Sequence, residues 1–195
     1  MTERRVGKEL EDAILSTVWD ELQSKGYQYL TISEVARLSK TNKNTIYRHW
    51  SSKPILVFAA IQQHIPETSS EIPNTGDLQR DLESLLGTFI PIFSVTSAET
   101  WTQLLPEALL NVAETNQINN LMSEINGTNF ITLAVQEILK NAKNRNDPIT
   151  KKLSADKISL PALLLLNQVL QHGTITQSAI SSMIEDIIMP VYLAN

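Results

Sequence analysis

The stretch Thr31–Lys53, TISEVARLSKTNKNTIYRHWSSK, leaves the chain little choice of local fold. Ile32, Val35 and Ala36 recur at one-turn spacing and mark the inward face of a short helix. Thr31 or Ser33 can cap its start, because a hydroxyl oxygen can accept from the free amides of a first turn. The polar run Ser39-Lys40-Thr41-Asn42 breaks the pattern, and Asn42 can cap a second helix. That helix is expected to turn Ile46, Tyr47 and Trp50 inward and to leave Lys43, Asn44, Thr45, Arg48 and His49 outward. Two short helices joined by so brief a turn follow the helix-turn-helix plan over residues 31–50.

In that plan the second helix enters the DNA major groove, and the outward residues suit the task. Lys43 and Arg48 can donate to guanine edges, Asn44 can pair with adenine, and Thr45 can reach a base or a phosphate. Tyr47, His49 and Lys53 offer donors to the phosphate backbone, and Thr31 and Ser33 stand at the start of the first motif helix. No acidic residue lies between Glu34 and Glu67, while Arg37, Lys40, Lys43, Arg48 and Lys53 all do. A charge run alone would describe a solvated basic face. The capped turn, the donor set and the closing Trp50 together point to double-stranded DNA.

The motif resembles the DNA-binding segment of the tetracycline-repressor (TetR) family of transcriptional regulators. The family's string runs roughly Lys-x-Thr-Ile/Leu-Tyr-x-His-Trp/Phe-x-Ser-Lys, and Lys43, Thr45, Ile46, Tyr47, His49, Trp50, Ser52 and Lys53 stand in those places. Lys40 replaces a frequent turn glycine, and Ser51 a frequent proline. A left-handed backbone at Lys40 would cost on the order of 1 kcal/mol relative to glycine. The resemblance implies a homodimeric one-component regulator, more often a repressor, whose body binds a small-molecule effector and needs no cofactor.

Charge divides along the chain. Residues 1–53 hold nine Lys/Arg against seven Asp/Glu, and residues 54–195 hold seven against fourteen, within an overall charge of −5. A mildly basic head on an acidic body is the asymmetry expected when one end alone faces DNA. With 42% hydrophobic and 19% charged residues, the 195-residue chain can bury a substantial core. Six glycines and few turn pairs favour helices over many short strands. The absence of cysteine removes disulfide and thiolate chemistry. Residues 1–30 carry no apolar leader, and no apolar run approaches a membrane span, so a cytoplasmic, membrane-free protein is expected.

The fold expectation is therefore all-α. A DNA-binding head covers residues 1–66, with a connector helix over 54–66, and a ligand-binding and dimerisation body covers 77–195. Leu10, Ala13, Ile14, Val18 and Leu22 predict a bracing helix from Lys8 to Lys25, stopped by Gly26. Arg4 and Arg5 read as a frayed end or as a short basic arm. Lys53-Pro54 opens the connector and Pro66 is expected to end it, before a polar linker from Glu67 to Gly76. Five body helices follow: Asp77 to Ser94 with a kink at Pro91, Ala98 to Ala113 interrupted by Pro106, Asn116 to Asn144, Asp156 to Gln171, and a last one capped by Thr176.

The penultimate helix is apolar over more than one face, and the last carries a parallel apolar stripe. Leu160, Leu163, Leu164, Ile180, Ile184 and Ile187 are the candidate dimer surface, with two helices from each subunit forming a four-helix bundle. Phe89, Phe93, Trp101, Leu105, Met122, Ile125 and Phe130 read first as core, with Asn126 a nearby polar candidate. A subset of them could line an effector cavity for a largely apolar ligand. No enzyme site is legible: His49, His64 and His172 are scattered, and the carboxylates fall where solvated helix faces are expected. The rival reading is a helical binding protein whose head does not read DNA.

Overall fold

The computed structural model describes residues 7–67, 71–112, 127–150 and 153–193, all helical apart from turns and one isolated bridge. The head consists of α1 (Lys8–Lys25), α2 (Ile32–Leu38) and α3 (Lys43–His49), followed by α4 (Lys53–Gln62). The body holds α5 (Leu78–Gly87), α6 (Ile90–Phe93), α7 (Ala98–Val112), α8 (Gly127–Asn144) and α9 (Ala155–His172). It ends in α10 (Gln177–Met183), a π turn (Ile184–Ile188) and α11 (Met189–Tyr192). The expected bracing helix has the expected ends, and Gly26 stops it at a φ of 79°.

Apolar spacing builds the head core. Ile14, Val18 and Leu22 form one stripe of α1 and pack with Val35 and Ala36 of α2, Ile46 of α3 and the capping Trp50. α4 buries Pro54 to Phe58, Ala60 and Ile61, nearly its whole circumference, because α1 lies on one side and α7 on another. It ends at Gln62, short of Pro66, in a turn where His64 stacks on Trp19 with ring centroids 3.7 Å apart. The connector is thus clamped back onto the head.

In the body α8 and α9 form the principal pair, with α7 against α9 and α5 against α8. Proline acts unequally here. Pro91, which has no amide hydrogen to continue the ladder, stands where the first expected body helix breaks into α5 and the single turn α6. Pro106 is exposed and α7 runs through it. α9 begins at the Ser154 cap and stops at Gly173, left-handed at φ 66°. An added Cβ on Gly173 would sit 2.0 Å from the Ala98 carbonyl oxygen, so α9 ends in direct contact with the start of α7.

The final segment buries Ile180, Ile184, Ile188 and Tyr192, a strict spacing of four. Four residues overshoot an α-helical turn by about 40°, so such a row would drift off the core. The more slowly wound π turn at Ile184–Ile188 offsets that drift. Ile180 and Ile184 are consequently wholly buried within the subunit, which corrects their assignment to a dimer surface. Leu163 and Ile187 are 52% and 41% exposed, and Leu160 and Leu164 are half-buried.

A buried carboxylate fastens the end of the expected linker. Asp81 is wholly buried, not on a solvated face. Its Oδ1 accepts from the Thr75 amide at 2.6 Å and the Thr75 hydroxyl at 2.8 Å. Its Oδ2 lies 3.6 Å from the Arg145 guanidinium, which also donates to Asn74 and Asp147. A buried charge requires such company. Residues 74–76 therefore belong to the body.

Candidate nucleic-acid interface

The motif turn is set by hydrogen bonds that its sequence supplies. Thr31 caps α2 by accepting from the Glu34 amide at 3.3 Å, and Asn42 caps α3 by accepting from the Thr45 amide at 2.9 Å. Between them Lys40 is left-handed, with φ 56°. The Lys40 amide donates to the Arg37 carbonyl and the Thr41 amide to the Ala36 carbonyl, the paired bonds of a Schellman ending. The chain completes with lysine a motif usually served by glycine. Ser33 is exposed and plays no part in the cap.

Behind α3, Ile46 is wholly buried and Trp50 nearly so, which fixes the rotation of the helix. Lys43, Asn44 and Arg48 are exposed, as expected. Tyr47 is 48% exposed and joins the outward set, correcting its inward assignment. Seven helical residues around Ile46 offer room for one buried row, and Trp50 completes it from the capping position. Thr45 is half-buried and donates to Asn42 at 3.2 Å, leaving its hydroxyl oxygen as an acceptor.

His49 faces outward but is tethered. Its Nδ1 lies 3.0 Å from the Glu11 carboxylate on α1, so Nε2 is the nitrogen left to a phosphate. Lys53 is half-buried, its ammonium 4.1 Å from the centre of the Tyr27 ring. Burial pushes the Lys53 ammonium pKa down, and the charge of Glu107 partly opposes that. The Tyr27 hydroxyl donates to Glu107 on α7 at 2.6 Å. Burial first, then that bond and the carboxylate's charge, raise the Tyr27 pKa well above the usual phenol range. These tethers were not legible in sequence, because each partner lies on another element.

The effector-side residues differ in burial. Trp101 is buried, donates its indole N–H to the Phe93 carbonyl at 3.1 Å and meets the Phe93 ring edge-on at 5.0 Å. Leu105 is buried, Phe89 and Phe93 are half-buried, and Phe130 is 37% exposed. Met122, Ile125 and Asn126, like Arg4 and Arg5, lie outside the described residues. A cleft of about 450 Å³ opens elsewhere, between α8 and α9, with Leu139 and Ile158 on its walls beside Lys140 and Lys143. Among the described residues no helix is long and apolar enough to cross a membrane.

A capped helix-turn-helix with an exposed basic face, joined to an acidic helical body, defines a DNA-binding transcriptional regulator. Residues 14–60 match the profile of bacterial regulatory proteins, tetR family. An HTH-type transcriptional regulator of Mycobacterium tuberculosis (strain H37Rv) is 30% identical over 182 residues, 92% of this chain and 86% of that one. The DNA-binding transcriptional repressor TetR of Mycobacteroides abscessus is 35% identical over 81 residues, 42% of this chain and 43% of that one. In fold, the chain is similar to a crystal structure of a TetR family transcription regulator, with TM-score 0.50 and 21% identity over 93% of this chain and 98% of the other. It is also similar to a mutant of HlyIIR, with TM-score 0.50 and 15% identity over 99% and 100%. The chain belongs to the TetR family of transcriptional regulators.

Proposed function

We propose that this regulator is a repressor that binds a near-palindromic operator as a homodimer and is released by a small-molecule effector. The observation that carries the reading is the exposed row Lys43, Asn44, Tyr47 and Arg48, held outward by a capped turn and a buried Ile46. Lys43 and Arg48 read guanine and Asn44 reads adenine, while Thr45 serves base or phosphate. Tyr47, His49 and Lys53, with Thr31 and Ser33 at the start of α2, hold the backbone. The repressor sense is supported by the Mycobacteroides abscessus relative, a DNA-binding transcriptional repressor.

One head spans only a few base pairs, so two heads spaced by about 34–36 Å, or a multiple, are needed for useful specificity. Leu163 and Ile187, with the half-buried Leu160 and Leu164 beside them, support a partner packed on α9 and the last segment. Replacing Leu163 and Ile187 together by Glu should give monomers in sedimentation, since unpaired carboxylates oppose burial at an interface. Persistence of the dimer would place the interface elsewhere.

The effector is largely apolar and sits among α5 to α8, near Phe89, Phe93, Leu105 and Phe130. It acts by favouring one separation of the two heads over another, since equal binding to both states would change nothing. The test of the whole reading begins with DNA upstream of the protein's own gene. Binding to an inverted repeat there, lost on adding a compound that raises Tm, is the expected result. Binding without preference for any repeat, or effectors that are all strongly charged, would contradict it.

A further inference from the structure

We infer that Glu107, on α7 of the body, is a positioning residue for DNA binding, holding Lys53 of the head over Tyr27 in a parked place from which a DNA phosphate must draw it. The inference rests on the proposed phosphate contact of Lys53 and adds the body residue that regulates it.

Three groups meet where α4 and α7 pack together. Tyr27 is buried, so its ring is a fixed platform, and its hydroxyl donates to the Glu107 Oε2 at 2.6 Å. Donation to a carboxylate enriches the ring in electron density, and Lys53 Nζ lies 4.1 Å from the ring centre. Glu107 thus acts on Lys53 twice, through the ring it polarises and through its own charge. Burial at this place disfavours the ammonium, and the charge of the Glu107 carboxylate opposes that effect and favours the charged form where Lys53 is parked.

The same ammonium is the natural phosphate donor at the start of α4, three residues after Trp50 closes the motif. One ammonium faces either the Tyr27–Glu107 pair or a phosphate, and the two uses compete. Glu107 is also on the helix that carries Trp101 and Leu105 into the body core. A displacement of α7 therefore changes the hold on Lys53 directly, without requiring α3 to change shape.

The test uses the full chain and a fluorescein-labelled duplex of mixed sequence at low salt, because a phosphate contact carries no base information. Glu107→Gln keeps an acceptor for the Tyr27 hydroxyl and removes the charge. It should tighten binding by about twofold to fivefold, the range of a single partly exposed ion pair. Glu107→Asp should bind as the parent does. Lys53→Ala should abolish the effect of Glu107→Gln, and Glu99→Gln on the same helix should have none. NMR titration of the Lys53 side chain gives a readout independent of DNA: Glu107→Gln should lower its pKa. Should Glu107→Gln fold poorly, Tyr27→Phe keeps the ring, cuts the tie and should also tighten binding. Unchanged or weaker binding by Glu107→Gln, or equal tightening in the Lys53→Ala background, overturns the proposal while leaving the DNA-binding reading intact. Failure of the parent protein to bind any duplex overturns both.

Discussion

Head and body are built by different kinds of interaction. In the motif each decisive bond spans three to five residues: Thr31 to Glu34, Asn42 to Thr45, and Thr41 back to Ala36. In the body the decisive bonds join distant positions. Arg145 reaches Asn74 across 71 residues, and Thr150 and Tyr192 hold the final segment across 43 and 35. A surface for reading DNA must have a fixed local shape, and short-range bonds provide it. The body's helices are held together by contacts that no short stretch of sequence contains.

The largest test of that contrast is Gly173→Ala. The substitution adds a Cβ that meets the Ala98 backbone and forces alanine into a left-handed conformation. We expect a loss on the order of 3 kcal/mol in chemical denaturation. A loss below about 1 kcal/mol would mean that the contact relaxes freely. Asp81→Ala should follow, since it leaves the Thr75 donors without their buried acceptor and removes the carboxylate that lies 3.6 Å from the Arg145 guanidinium. About 3 kcal/mol is expected, with earlier proteolysis near residues 74–76. Unchanged proteolysis would show that the linker end is held by something else.

The corresponding head substitution should be small. Lys40→Gly removes the side-chain penalty of the left-handed turn but adds freedom to the unfolded chain. We expect a gain of no more than about 1 kcal/mol in denaturation experiments. A destabilisation would mean that the Lys40 side chain itself contributes to the turn.

The same contrast explains what was legible in the sequence. The bracing helix, the Thr31 and Asn42 caps and the Thr176 cap all rest on neighbouring residues, and each is found where local chemistry places it. Tyr47 was misread because apolar spacing on a seven-residue helix does not fix how many rows are buried. Asp81 gave no signal, since a carboxylate on an amphipathic helix reads as solvated until Arg145 arrives from another element. The buried row Ile180, Ile184, Ile188 and Tyr192 and its need for a π turn were not legible, because which apolar residues of the last segment are buried follows only from the fold.

The central claim is that the outward face of α3 reads bases and the start of α4 grips phosphate. Relative affinities of Arg48→Ala, Lys43→Ala and Lys53→Ala over a panel of operator variants test it most directly. Arg48→Ala and Lys43→Ala should each cost about 1–3 kcal/mol on the preferred sequence and flatten preference at one position. Lys53→Ala should weaken every variant alike and lower the salt dependence by about one counterion. Unaltered sequence preference in both the Arg48 and the Lys43 variants would contradict the account.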